Sequence, residues 1–229
     1  MKLPISDRLL ACAGLVHPGD RVADIGCDHG YLSIHLLQQG IASSCIASDI
    51  NEGPLQSAMR NARKFGVSEK ITFHLSDGVR GIPQDFDTLV CAGMGADTMI
   101  HIMESAPWLK KESYRLILQC QSKTPMLRSY LWDNGFRICR EVALRDGKFV
   151  YTIMEVRYAP DIPAPESWEA HFPQLMLETP GKDLAAYFRW VREGLRIAAT
   201  HRNDLEKQAI LNKLDELAER HPFLKEETV

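Results

Sequence analysis

The 229-residue chain contains no apolar run near the ~20 residues that a bilayer-crossing helix needs. Its opening, Met-Lys-Leu-Pro-Ile-Ser-Asp, lacks the long apolar stretch of a secretory signal, so a cytoplasmic protein is the expectation. The six cysteines, at 12, 27, 45, 91, 120 and 139, form no C-x-x-C pair and have no histidine cluster beside them. That spacing argues against a zinc site and against a disulfide framework; no metal is expected, and reduced cysteines packed as small hydrophobes are. A basic excess is missing too, since the formal net charge is −3. The distribution says more than the sum. Residues 1–158 carry 18 Lys+Arg against 17 Asp+Glu, whereas 182–202 carry 5 against 2 and 203–229 carry 4 against 7. A local cationic segment is therefore hidden inside an acidic C-terminal part.

What remains is an ordinary globular composition, 45% hydrophobic and 25% charged, in a chain long enough to bury a large core. Ser6 can cap a first helix from Asp7. Strands are expected at 21–25, 45–50, 70–75, 86–91 and 115–119, separated by helices to about Gln39, over 54–65, over 97–105, and from a Thr124 cap with Pro125 following to the stop at Asn134-Gly135. Phe136–Leu144 and Phe149–Val156 flank Asp146-Gly147, a hairpin signal. Five β/α alternations closed by a hairpin predict an α/β, Rossmann-like, mostly parallel sheet with an antiparallel strand near one edge. Residues 159–165 hold three prolines and read as a linker between a unit over 1–158 and a helical unit over 166–229. In the latter, Leu184, Phe188, Val191, Leu195 and Ala198, then Leu205, Ile210, Leu214 and Leu217, predict a small coiled-coil-like pair of helices.

Chemistry concentrates at Asp24-Ile25-Gly26-Cys27-Asp28-His29-Gly30, where an apolar strand turns through glycine into a helix and presents free backbone N–H groups. The run resembles the D-x-G-x-G-x-G loop of S-adenosylmethionine-dependent methyltransferases, with Asp28 in place of the middle glycine. Asp49 closes the second strand 23 positions after Gly26, a spacing that suits an acid on ribose hydroxyls. Asp77-Gly78 follows the third strand, where this fold meets an adenine. The terminal hairpin is itself the pattern of these enzymes rather than of dehydrogenases. Gly93-Met94-Gly95 follows the fourth strand, where an Asp/Asn-Pro-Pro-aromatic motif for amino-group methylation is absent and the glycines leave room for a flat base. Asp24, Gly26, Asp28, Gly30, Asp49, Asp77 and Gly78 are therefore the candidate cofactor residues. His29, Gly93, Met94 and Gly95 are the candidates for the reacting base. On the 182–200 helix, Arg189, Arg192 and Arg196 share a face that can track phosphates and, with Arg8, are the candidates for RNA.

Together these residues resemble the TrmK family of bacterial tRNA (adenine(22)-N1)-methyltransferases. The resemblance rests on Ile5-Ser6-Asp7-Arg8-Leu9, on Val22 to Leu32 with its Asp28-His29 pair, on Ala92-Gly93-Met94-Gly95, on Leu118-Gln119, and on Leu127-Arg128 through Asn134-Gly135. Ala96 departs from the family's further glycine, and Cys120-Gln121 stands where Pro-Asn is usual. The resemblance implies methyl transfer from S-adenosyl-L-methionine to N1 of adenine 22 in tRNA, a C-terminal helical domain, and tRNA rather than DNA or a membrane as partner; a monomer is favoured. Two other readings share the first 158 residues: a methyltransferase of small molecules, and a non-catalytic RNA-binding protein on a vestigial methyltransferase fold.

Overall fold

Strands buried on both faces read as nearly continuous apolar runs, and that is how the central strands of this chain are written. The computed structural model describes residues 3–202 and 204–226. Seven strands form one sheet: β1 (Arg21–Ile25), β2 (Ser44–Asp49), β3 (Ile71–Leu75), β4 (Thr88–Met94), β5 (Arg115–Cys120), β6 (Phe136–Asp146) and β7 (Phe149–Tyr158), in the order β3-β2-β1-β4-β5-β7-β6. The first five are parallel, and β7 runs antiparallel between β5 and β6. The chain is thus an α/β, Rossmann-like fold with a terminal hairpin. Successive strand residues point to opposite faces. Val22, Val90 and Ile117 pack with α1 (Asp7–Ala13), α2 (Tyr31–Gln38) and α3 (Glu52–Lys64), whereas Ile25, Leu89 and Leu116 pack with α4 (Ala96–Glu104) and α5 (Thr124–Asp133).

A third apolar cluster gathers Trp168, Phe172 and Met176 with α6 (Leu184–Arg202) and α7 (Leu205–Arg220). One buried cation joins it to the sheet. Arg128 on α5 donates to both carboxylate oxygens of Glu141 on β6, at 2.6 and 3.2 Å, to the Ala170 carbonyl at 2.6 Å and to the Tyr187 hydroxyl on α6 at 2.8 Å. A guanidinium without water is tolerable only with this degree of pairing.

The local differences from expectation have physical reasons. Thr124 is not a cap: Lys123 takes the position before the helix in the left-handed region (φ 58°), and Thr124 falls inside the first turn. α3 starts at Glu52, two residues early, because Pro54 lies in a first turn whose N–H groups need no partner. β4 starts at Thr88, since Phe86 is drawn into an aromatic cluster with Trp108 and Tyr114, and runs on to Met94 through a bulge. In the helical pair Ala199 rather than Ala198 lies buried, and Leu205, at the first position of α7, is exposed.

Candidate active site

The site lies at the carboxyl ends of β1, β2 and β4, the crevice where open parallel sheets bind ligands. Past β1 the backbone turns with positive φ at Gly26 (71°), Asp28 (49°) and Gly30 (72°). The N–H groups of Gly26 and Cys27 both donate to the Ser48 carbonyl at 2.8 Å. Asp49 ties this loop to the next: one carboxylate oxygen accepts from the Asp28 N–H at 3.1 Å and the other from the Asn51 N–H at 2.9 Å. A Cβ on Gly26 would stand 2.3 Å from the Met94 methyl, so the Met94 side chain lies directly over the loop. Gly30 is tight for another reason: a Cβ there would press on Ala58 of α3 at 3.0 Å.

Asp24, two residues before the turn, is buried and accepts from the Ser33 hydroxyl at 2.8 Å. Burial pushes its carboxyl up to about 6, opposed by that hydroxyl and assisted by the negative charge of Asp49. Asp24, Gly26, Asp28, His29, Gly93 and Met94 share a cavity of about 250 Å³ with Arg8 and Gln121. Arg8, expected among the RNA contacts, is therefore at the glycine loop. Its Nε is buried without a hydrogen-bond partner among the described residues, and its guanidinium lies 3.8 Å from where a Gly93 Cβ would be. His29 is half exposed, with Nε2 3.6 Å from an Asp28 oxygen and its ring stacked on Tyr31.

Behind Gly93 stands a residue to which sequence gave no role. Buried Gln119 accepts from the Gly93 N–H at 3.0 Å and so fixes the bulge at the end of β4. The Gln121 N–H donates to the Met94 carbonyl at 2.8 Å. Gly95 precedes α4 and meets Ser122, whose hydroxyl would be 2.8 Å from an added Cβ. Asp77 lies beyond β3 and accepts from Arg80, while Gly78 (φ 60°) is pressed against Ile102 of α4. Two apolar side chains that sequence reasoning missed flank Asp49. Ile50 follows it and Leu75 is its register partner on β3, and they are 61% and 60% exposed. The available signal was an apolar residue immediately after a strand-terminal acid.

Arg189, Arg192 and Arg196 are not brought to this cavity. Arg192 pairs with Asp215 of α7 at 2.7 Å, Arg196 with Glu193 at 2.7 and 2.8 Å, and Arg189 donates to the Glu226 carbonyl.

A glycine loop after β1, an acid closing β2 and an antiparallel terminal hairpin define a Rossmann-like methyltransferase. The chain belongs to the family described as a methyltransferase domain, which matches residues 5–154. It is 29% identical to the tRNA (adenine(22)-N(1))-methyltransferase of Bacillus subtilis strain 168, over 98% of this chain and 97% of that one. Among solved structures, Sp1610 of Streptococcus pneumoniae in complex with S-adenosyl-L-methionine matches with a TM-score of 0.82 at 28% identity, covering 93% of this chain and 98% of that one. The B. subtilis TrmK structure, 24% identical with a TM-score of 0.78 over 98% of both chains, shares the fold.

Proposed function

We propose that this protein methylates N1 of an adenine in tRNA, at position 22, with S-adenosyl-L-methionine as donor. The observation that carries the reading is the cavity that joins the loop from Asp24 to His29 to the Ala92-Gly93-Met94 bulge, in a chain similar from end to end to an enzyme of that name.

The residues present fit the donor. Asp49 keeps lone pairs beyond its two backbone bonds and would take the ribose hydroxyls. Ile50 and Leu75 offer bare apolar surface for an adenine, and Asp77-Gly78 would meet its polar edge. Buried Asp24 and Arg8, whose Nε has no partner among the described residues, are a matched anion and cation for the ammonium and carboxylate of an amino acid. When bound, the cofactor supplies an electrophilic methyl group on a sulfonium.

Adenine N1 has an in-plane lone pair and no proton, so no side chain need act as base during attack. Gly93 leaves the base its space, Gln119 holds the bulge still, and Met94 and His29 border the position where base and methyl meet, whereas Gly95 packs against Ser122 outside the cavity lining. Catalysis then rests on alignment in a site whose donors are already fixed. Because N1 is occupied in a Watson–Crick pair, the target must be unpaired or swung out of its stack. The helical unit over 166–229 would contact the tRNA body, in the cytoplasm, with the chain acting as a monomer.

Incubating the purified chain with labelled S-adenosylmethionine and a tRNA transcript should transfer label to the RNA and none to free adenosine. Equal labelling of free adenosine would favour a small-molecule enzyme. Absence of a thermal shift with the cofactor would favour a non-catalytic RNA binder.

A further inference from the structure

A larger cavity than this one lies outside the site just described. It is a groove of about 960 Å³ between the β6–β7 hairpin tip, the segment entering α5 and one face of α6, with Phe149 on one wall and Trp190 and Ile197 on the other. Gln121 lines both this groove and the small cavity, so the two adjoin at that residue.

Trp190 is 56% exposed, but it is not a loose surface side chain. Its indole stacks on Tyr187 with centroids 6.1 Å apart and planes at 25°, and Tyr187 stacks on Phe172 at 6.1 Å and 24°. Tyr187 and Phe172 are buried, and Arg128 holds the Tyr187 hydroxyl at 2.8 Å with its guanidinium 5.8 Å from that ring. The column is thus anchored in the core and ends in a half-exposed indole. Lysines border the groove: Lys123, paired with Asp97 at 2.9 Å, and Lys207, paired with Asp204, line it, and Lys148 sits 5.2 Å over the Phe149 ring. The carboxylate on its wall, Glu193, is taken up by Arg196.

We infer that this groove holds an unstacked nucleotide of the tRNA next to the target adenine, with its base extending the Phe172–Tyr187–Trp190 column. The inference rests on the proposed function and deepens it. A target pulled from its stack leaves a neighbour with an uncovered π-face, and a preformed aromatic platform beside cations is the physical complement of such a base. With Gln121 in both linings, the groove adjoins the cavity proposed for the reacting base. The earlier candidates Arg192 and Arg196, which face other partners, are not needed for it.

The test uses the full chain, a tRNA transcript, and the variants Trp190→Ala, Trp190→Phe and Phe149→Ala. Trp190→Ala should raise the Kd and KM for tRNA about 5- to 150-fold, the equivalent of ~1–3 kcal/mol for one stacked base, with S-adenosylmethionine affinity and the far-ultraviolet circular dichroism unchanged. Trp190→Phe should recover most of the loss, and Phe149→Ala should weaken tRNA binding in the same direction. Wild-type methylation of tRNA accompanied by undiminished tRNA affinity in Trp190→Ala would overturn the platform alone. No binding of tRNA by the wild-type chain would overturn the functional reading and the platform with it. Sedimentation showing a wild-type dimer that Trp190→Ala dissolves would assign the groove to a second copy and also overturn the inference.

Discussion

Asp24→Asn separates stability from function at this site. The Asp24 carboxyl is held at about 6 by burial, against an ordinary 3.8, so ionising it in the folded chain costs about 3 kcal/mol at pH 8 and about 1.6 kcal/mol at pH 5. The sign follows from the upward displacement. Its contribution to stability is fully present below 3.8 and is lost as the pH rises through about 6. Asparagine keeps an acceptor for the Ser33 hydroxyl and never ionises, but it brings an amide N–H whose lack of a partner would cost about 1 kcal/mol. Without cofactor the variant should therefore be about 2 kcal/mol more stable than wild type at pH 8, and that advantage should shrink by about 1.4 kcal/mol at pH 5. Urea unfolding at the two pH values measures both quantities. The same variant should bind S-adenosylmethionine about 10- to 100-fold more weakly, the scale of one charge-assisted hydrogen bond, read by calorimetry. Equal stability of variant and wild type at pH 8, with parallel pH profiles, would refute the burial argument. Unchanged cofactor affinity would remove Asp24 from the site.

Asp49→Ala should weaken S-adenosylmethionine binding at least tenfold and also destabilise the chain by about 1–3 kcal/mol, because the Asp28 and Asn51 N–H groups lose their acceptor; calorimetry and urea unfolding read the two effects. Arg128→Ala should cost about 3–5 kcal/mol in urea unfolding by leaving Glu141 buried and unpaired, and Arg128→Met with Glu141→Leu should recover most of that loss.

Much of the fold was legible because each local signal agreed with the next. Val22, Ala23 and Ile25 form a buried strand, Gly26 and Gly30 take the positive φ that a strand-to-helix turn demands, and Asp146-Gly147 turns the terminal hairpin. The resemblance to the TrmK family drawn from Asp28-His29 and its companions was matched by whole-length relatives of that kind. What escaped depended on contacts between distant segments. Arg8 reads as a surface cation on a short amphipathic helix until α1 is laid against β4 and β5 and the guanidinium enters the cavity. Gln119 looks like one more strand residue until the bulge at Gly93 turns an N–H toward it. The arginine spacing on α6 showed a shared face but could not show Asp215, 23 positions beyond Arg192, waiting on the neighbouring helix. Trp190 carried no signal at all, because its importance comes from what Tyr187 and Phe172 do beneath it.

The central claim is that this chain places a methyl group on N1 of one adenine in tRNA. Mapping the modified base in a tRNA transcript treated with the purified protein and S-adenosylmethionine tests it most directly. The expected result is a single 1-methyladenine at position 22, lost when that adenine is replaced by guanine. A methyl group on any other atom or position, or undiminished transfer to the substituted transcript, would contradict it.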